Sequence, residues 1–373
     1  MGRCGKGFMM RCGRKMKTVN NEGMVSKNKN KIIIRIVIFS VIALLLLCYF
    51  NSTLTISGSD SNRKIFNAFY SEKENTIDAV YLGTSASNRY FIGPMAYNET
   101  GMTVFTLATM GMPMFFVPNL IEEVEKTQDP QLYIIELRSM IKDKSMVNDA
   151  HIRRVTDSMK FSANRDDAIR KALEFTEGSI DSDVGDDFIE YYMPVIKYHD
   201  RLLQGDVAFE ELFLYKDKNE TKGYVTSKKT LEQVPQEEGV HTEERTELSD
   251  DAEKTLFEVL DYCDSIDKDI LFVMSPFSVK EEQAGQFNTI MDIVRDRGYE
   301  VIDFNTEEMI DALDINWETD FYNSKHVNYL GAQKYTEYLT EYLKQNYDFP
   351  DHRGDPAYKS WEDSYDYYVD FIS

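Results

Sequence analysis

Four cysteines, five histidines and the lack of any glycine-rich phosphate loop in 373 residues close off several readings at once. Cys4 and Cys12 precede a long apolar run, Cys48 lies inside it, and Cys263 stands alone after it. One cysteine beyond the run cannot form an intrachain disulfide, so the body must be held by an apolar core, which its length allows. No pair among His151, His199, His241, His326 and His352 has zinc-ligand spacing, and no metal or organic cofactor is expected. Motifs of the GxGxxG or GxxxxGK type are missing, which argues against nucleotide binding. Positive charge is scarce too: 42 Lys and Arg face 64 Asp and Glu, a net charge of −22. That balance argues against nucleic acid as a partner.

The scarce positive charge is concentrated at one end. Residues 1–35 carry ten Lys and Arg against the single acid Glu22. Overlapping the end of this basic head is Ile32 to Phe50, IIIRIVIFSVIALLLLCYF, with Arg35 as its one charge. Nineteen residues at about 1.5 Å each just cross a ~30 Å hydrocarbon layer. No small-x-small cleavage site follows closely, so the run reads as an uncleaved signal anchor. The basic residues before it place the N-terminus in the cytoplasm and the rest outside, a single-pass protein of the cell membrane.

The expected organisation is a basic cytoplasmic tail over 1–31, a transmembrane anchor over 32–50 and a polar stalk over 51–75. An extracellular α/β domain then covers 76–350, and an acidic, aromatic tail covers 351–373 and serves as a docking segment. Within the domain five short apolar runs read as buried strands: Asp78 to Leu82, Thr103 to Leu107, Leu132 to Leu137, Asp269 to Met274 and Glu300 to Phe304. Helical spacing over Pro118 to Thr127, Glu281 to Arg297 and Gly331 to Tyr347 lies between and after them. Near-continuous apolar strands alternating with helices predict a mostly parallel sheet covered on both faces. Residues 139–250 interrupt the rhythm. They are charged, helical over Asp166 to Phe175 and Asp187 to Leu203, and loop-like from Lys216 to Glu247. This insertion is expected to overhang the carboxyl ends of the strands, where ligands bind in open α/β sheets.

Two segments carry chemistry. The first strand runs into Gly83-Thr84-Ser85-Ala86-Ser87. A serine there sits among free backbone N–H groups that can hold an oxyanion beside a nucleophile, although a plain Ser/Thr helix cap has the same look. The second segment, Asp320 to Ala332, places His326 after a polar loop with Asp320 and Asn323 nearby. A general base for serine needs an imidazole oriented by a third group, and either residue can supply it.

A strand ending Gly-x-Ser near the domain start and a histidine loop before the last helix resemble the first and fifth blocks of the SGNH/GDSL hydrolase family. Phe105 to Pro113 is similar to the stretch after the family's second strand, where an oxyanion-hole glycine stands. Leu132 to Arg138 resembles the third strand of its membrane-anchored branch. That branch includes the D-alanine transfer protein of teichoic acid modification and the alginate acetylation proteins. Tyr191 to Leu202 and Phe272 to Phe277 look like elements of further anchored relatives, so the resemblance covers Thr76 to Asp348. It implies a three-layer α/β/α sandwich of the SGNH or flavodoxin-like kind with a five-stranded sheet. It also implies Ser85 as nucleophile, His326 as base, and the N–H groups of Ser85 and Gly111 as oxyanion donors. The sequence departs from the pattern in three places. Thr84 replaces the usual Asp, and Asn323 stands where an Asp precedes the histidine. The Gly-x-Asn-Asp block is missing, with Glu136 and Arg138 near its place, so Arg138 is a candidate cationic donor.

The resemblance implies a membrane-anchored serine esterase or O-acyltransferase handling acyl groups, foremost acetyl, on a cell-envelope polysaccharide. Its partners would be the acylated glycan and a multi-spanning membrane acyltransferase. The alternative is a non-catalytic protein that binds glycan or scaffolds such an acyltransferase, which the missing Asn and Asn323 favour.

Overall fold

The computed structural model describes residues 21–55, 61–179, 184, 188–201 and 217–373. The expected tail up to residue 20, part of the expected stalk, Asp187, Leu202 and Leu203, and Lys216 lie outside the described residues. The chain divides into two compact units, residues 1–51 and 52–373.

Helix α1 (Asn21–Thr53) carries the apolar run. Its stretch Lys29–Thr53, 25 residues, is long and apolar enough to cross a membrane. Ile32, Phe39 and Leu45 on it are exposed, so no protein core absorbs their apolar surface.

The second unit is built on five strands: β1 (Ala79–Gly83), β2 (Val104–Ala108), β3 (Leu132–Glu136), β4 (Asp269–Met274) and β5 (Glu300–Asp303). All four pairings are parallel, in the order β2-β1-β3-β4-β5. The first three strands are buried along their whole length, as expected of apolar runs covered on both faces. Successive side chains point to opposite faces, and they enter two separate cores. Val80, Leu82, Phe105, Tyr133 and Phe272 belong to one, while Ala79, Tyr81, Val104, Ile134 and Leu271 belong to the other.

The helices divide the same way. Helix α2 (Ser61–Phe69) precedes β1, α3 (Ser85–Asn88) and α4 (Gly93–Thr100) follow it, and α5 (Val117–Glu125) follows β2. Between β3 and β4 come α6 (Asp149–Thr156), α7 (Ala163–Thr176), α8 (Phe188–Tyr192), α9 (Pro194–Tyr198) and α10 (Asp250–Ser265). Helix α11 (Glu281–Asp296) links β4 to β5, and α12 (Glu307–Ala312) follows. A small antiparallel hairpin, β6 (Phe321–Asn323) and β7 (His326–Val327), leads into α13 (Tyr329–Asn346), and α14 (Lys359–Ile372) ends the chain. Side chains of α2, α5, α10 and α11 enter the first core, and those of α4, α12 and α13 the second.

Two segments differ from the sequence expectation. The stretch read as a polar stalk contains α2, whose Ile65, Phe66 and Phe69 are fully buried. The C-terminal segment read as a docking tail folds back as α14, with Trp361 fully buried beside Tyr97 of α4. Both therefore belong to the body of the second unit, which extends beyond 76–350 at each end.

The order of the strands positions the site. From β1 the chain moves to β2 on one side and then to β3 on the other. Connections thus leave β1 and β3 in opposite directions, and the carboxyl ends of such a pair are where open α/β sheets bind ligands. Ser85 follows β1, and Glu136 and Arg138 stand at and just after the end of β3.

Candidate active site

Ser85 owes its position to a tight junction. A Cβ on Gly83 would fall 2.2 Å from Ser87 Oγ and 2.7 Å from Glu136 Cβ, so only glycine lets β1 pass this close to β3 before turning. Thr84 then caps α3, its hydroxyl accepting the Ala86 N–H at 3.2 Å. Ser85 is the first residue of that helix, half-exposed between buried neighbours. Its N–H has no intrahelical acceptor and bonds no other described residue.

His326 is set by the hairpin. Asn323 and His326 are paired across the two-residue turn Ser324-Lys325. The Asn323 Oδ1 accepts the Lys325 N–H at 2.9 Å, which closes the turn and fixes that atom as the acceptor. The same oxygen lies 3.0 Å from His326 Nδ1, so Nδ1 must be the protonated nitrogen. Nε2 is then left to accept from the Ser85 hydroxyl, 2.8 Å away. Tyr322 stacks on the imidazole with ring centroids 5.6 Å apart. Burial, followed by the charges of Arg138, Arg89 and Lys325, lowers the His326 pKa to about 3. The imidazole is therefore neutral and able to accept a proton across the neutral pH range, but it is a weak base.

The other expected residues separate into distinct jobs. Asp320 is buried and makes no hydrogen bond to the imidazole. Its carboxylate accepts the Asn316 N–H and the Thr319 hydroxyl and pairs with Lys334 at 2.9 Å. It anchors the approach to the hairpin, and Asn323 is the residue hydrogen-bonded to His326 Nδ1 among the described residues. Arg138 donates from Nη2 to the Lys325 carbonyl at 2.8 Å and from Nη1 to the Tyr90 hydroxyl at 3.0 Å. Its guanidinium lies 3.9 Å from the Phe277 ring centroid. Arg138 thus clamps the histidine turn from below rather than standing free as a donor.

Beneath Arg138, Glu136 is fully buried and accepts from Tyr81 Oη at 3.0 Å, the Arg138 N–H at 3.2 Å and the Ser275 N–H at 3.3 Å. Burial pushes its carboxyl up to about 7, against the opposing pull of Arg138.

Gly111 follows β2, whose end runs beside that of β1 with Ala108 opposite Gly83. Its φ is +72°, in the left-handed region, and its N–H bonds no described residue. The peptide unit that carries this N–H is polarised from behind, because Arg154 Nη1 donates to the Met110 carbonyl at 3.1 Å. Lys142 Nζ donates to the Gly111 carbonyl at 3.0 Å, and a Cβ on Gly111 would fall 2.4 Å from the His151 ring. The insertion therefore does reach the carboxyl end of β2. Sequence reasoning missed Tyr90, Arg89, Lys142, Arg154 and Lys325. Only Arg89 and Lys325, next to the two motifs, had a local signal.

Among the described residues no group of three His, Cys, Asp or Glu side chains is placed to hold a metal ion. Two clefts of about 480 and 340 Å³ lie elsewhere, lined by residues such as His241 and Asp303 or Arg63 and Asp157. Neither contains Ser85 or His326. Comparison with protein-family models and with curated proteins finds no match to this chain.

Proposed function

We propose that the protein is a serine esterase or O-acyltransferase that acts on acyl groups, foremost acetyl, of a cell-envelope polysaccharide. The observation that carries this reading is the 2.8 Å contact between Ser85 Oγ and His326 Nε2, residues 241 apart in sequence. A serine at a strand-to-helix junction, bonded to the unprotonated nitrogen of an oriented imidazole, is the arrangement that makes a hydroxyl nucleophilic. The position at the carboxyl end of β1 and the order of the five strands support the three-layer SGNH-like reading.

In this mechanism Ser85 Oγ attacks the ester carbonyl carbon as His326 Nε2 takes its proton. The carbonyl oxygen gains negative charge and is met by the N–H groups of Ser85 and Gly111. The ester C–O bond breaks, and His326 returns the proton to the departing alcohol oxygen. The acyl group on Ser85 then passes to water in an esterase or to a sugar hydroxyl in a transferase, whose proton His326 accepts in turn. Helix α1 would tether the domain to the membrane, its N-terminus cytoplasmic and residues 52–373 outside, within reach of a multi-spanning acyltransferase.

Two observations favour the second reading, a glycan-binding or scaffold protein without chemistry. Asn323 offers an amide where a carboxylate would stabilise the imidazolium, and three cations weaken His326 as a base.

The test uses the full chain in a neutral detergent. The wild type, Ser85→Ala and His326→Ala are compared for fluorophosphonate labelling and for 4-nitrophenyl acetate hydrolysis. Labelling and turnover that depend on both residues are expected. A wild type that neither labels nor turns over ester favours the scaffold.

A further inference from the structure

The cleft of about 340 Å³ lies apart from Ser85 and His326, and nothing in the proposed reaction uses it. Its wall includes Ser52 and Thr55, which stand just after Phe50, the last residue of the apolar run. The backbone there is fixed within the second unit. Thr53, Leu54 and Thr55 are buried, Arg63 Nη2 donates to the Ser52 carbonyl at 3.1 Å, and Arg201 Nη1 donates to the Thr55 carbonyl at 2.8 Å. Chain continuity alone therefore brings this cleft to the level at which the run would leave a bilayer.

The charge of this wall is opposite to that of the chain. Arg63, Lys160, Arg165 and Lys218 line it against the single acid Asp157, in a chain that carries −22. Lys160 and Lys218 are exposed, and neither pairs with an acid among the described residues. Lys160 Nζ stands instead over the Tyr70 ring, 4.2 Å from its centroid. Phe161, which also lines the cleft, is 54 % exposed, a large apolar ring of the kind that enters a headgroup layer beside basic residues.

The same wall holds two polar groups that lack hydrogen bonds. The Asp157 side chain is fully buried, and neither of its oxygens accepts a hydrogen bond. Arg165 Nη2 and Arg153 Nη1 approach it only to 3.5 and 3.8 Å. The neighbouring Ser158 hydroxyl is buried and unbonded as well. Buried oxygens of this kind are nearly always bonded, and a carboxylate left bare is costly. Burial pushes Asp157 up to about 6, against the pull of Arg153 and Arg165, so at neutral pH it is ionised and can only accept. Its oxygens call for donors from outside the protein. Arg153, Arg165 and Arg63 already bear on the carboxylate, so hydroxyl donors suit it better than a further cation.

We propose that this cleft seats the headgroup of an anionic phospholipid of the outer leaflet, its phosphate at Lys160 and Lys218 and its hydroxyls at Asp157 and Ser158. Phosphatidylglycerol has both parts. The phosphate balances two exposed ammonium groups, the hydroxyls complete the buried carboxylate, and the acyl chains stay in the bilayer. The lipid is a structural ligand, distinct from anything that reacts at Ser85, and it holds this face of the second unit to the membrane surface. The proposal rests on the anchor reading and is independent of the serine chemistry.

The test reconstitutes the full chain into nanodiscs and reads hydrogen–deuterium exchange. The discs are phosphatidylcholine alone, or phosphatidylcholine mixed with phosphatidylglycerol or with phosphatidylmethanol. The last has the same diester charge without the hydroxyls. Recovery of the chain in the discs checks the anchor by itself: a chain that stays outside them contradicts the anchor reading and the lipid site together. Within the discs, amides of residues 157–161 are expected to exchange about tenfold more slowly with phosphatidylglycerol than with phosphatidylcholine alone, and phosphatidylmethanol to slow them clearly less. Lys160→Glu/Lys218→Glu, at two exposed positions, should return the phosphatidylglycerol rate to that of phosphatidylcholine.

The basic N-terminal segment also meets anionic lipid in these discs, but phosphatidylmethanol offers it the same charge, and neither lysine belongs to it. A chain that enters the discs and shows equal rates in all three, or a double variant protected as well as wild type, overturns the proposal and leaves the anchor standing. Equal protection by phosphatidylglycerol and phosphatidylmethanol removes the contacts to Asp157 and Ser158 and overturns it too. Free glycerol phosphate, added to phosphatidylcholine discs, separates a lipid from a soluble source of the same chemistry. It is expected to leave the rates unchanged, and protection equal to that by the lipid overturns the lipid assignment.

Discussion

Asn323 and His326 face each other across a two-residue turn, with Oδ1 and Nδ1 3.0 Å apart. The amide fixes the tautomer that lets Nε2 accept from Ser85, and it adds no negative charge. Orientation and imidazolium stabilisation, which a carboxylate supplies together, are thus separated here. In the free protein the His326 pKa lies at about 3. The acid limb of kcat/KM, which reports this group, should therefore lie far below the ~6.5 of an unperturbed histidine. Turnover of a neutral ester should be flat from about pH 5 to pH 8. Asn323→Asp places a carboxylate against Nδ1–H, so it should raise neutral-pH turnover by about tenfold and move the acid limb upward. A pH–rate profile of both proteins checks this, and an acid limb near pH 6.5 in the wild type contradicts it.

Glu136 makes a second pH-dependent statement, about stability. Its folded-state pKa of about 7 lies above the ordinary 4.5 because the carboxyl is buried. Between those two values the folded protein holds a proton that the unfolded chain has released. Stability must therefore fall as pH rises through that window, by about 3 kcal/mol in total at ~1.4 kcal/mol per unit. Glu136→Gln removes the ionisation. Its amide can still accept the Ser275 and Arg138 N–H groups, and Tyr81 can turn to donate to Tyr335, 2.9 Å away. Urea melts at about pH 5 and pH 8 should show the wild type losing more stability than the variant, in which buried Asp157, also raised to about 6, still titrates. A wild type that loses no more stability than the variant contradicts the assignment.

The sheet was legible in the sequence because its strands are continuous apolar runs. Asp269–Met274 has the same limits in the structure as in the sequence reading. The elements that were missed are amphipathic and embedded in polar surroundings. In Ser61–Phe69 Ile65, Phe66, Ala68 and Phe69 carry the apolar face, and in Lys359–Ile372 acids alternate with the aromatic residues that turn inward. Asp250–Ser265 did carry a start signal, Ser249 as cap before Asp250, Asp251 and Glu253, and it should have been read as a helix. Ser85 and His326 stood in recognisable local settings. Whether Asp320 or Asn323 serves His326 depends on the register of a hairpin with a two-residue turn, which places position 323 opposite 326. That register is not written in residue types. Lys142 and Arg154 come from the insertion, so tertiary folding alone brings them to Gly111.

Gly111 combines a left-handed backbone with a wall on its Cα. With φ +72° and the His151 ring 2.4 Å from where an alanine methyl would sit, Gly111→Ala meets both strain and a clash. It should cost ~1–3 kcal/mol of stability. In the proposed mechanism the larger effect should be on chemistry, because the Gly111 N–H would be displaced from the oxyanion it is proposed to meet. Loss of one such donor lowers kcat by about 10² or more. His151→Ala in the same chain removes the clash and leaves the φ requirement. The double variant should therefore recover part of the stability and part of the rate. Turnover and thermal melts of the two single variants and the double variant measure this, and additive losses would mean the two residues do not touch.

The C-terminal helix should prove to be part of the folded body. Trp361 is fully buried, its ring 5.8 Å from that of Tyr97 and 4.7 Å from the Lys222 ammonium, and Lys222 in turn pairs with Glu72 at 2.7 Å. The helix therefore ties together α4, the loop that carries Lys222 and the chain just after α2. Removing a buried indole leaves a large cavity, so Trp361→Ala should cost ~3–5 kcal/mol, and Trp361→Phe clearly less. Tyr97 lies in α4, which the chain enters directly after Tyr90 and its bond to the Lys325 carbonyl at 2.8 Å. Loss of packing at Trp361 should thus loosen the histidine turn before the whole domain unfolds. Fluorophosphonate labelling of Ser85 in the Trp361→Ala chain is expected to fall at temperatures below its melting transition. A melting point equal to wild type would return residues 351–373 to the role of a dispensable tail.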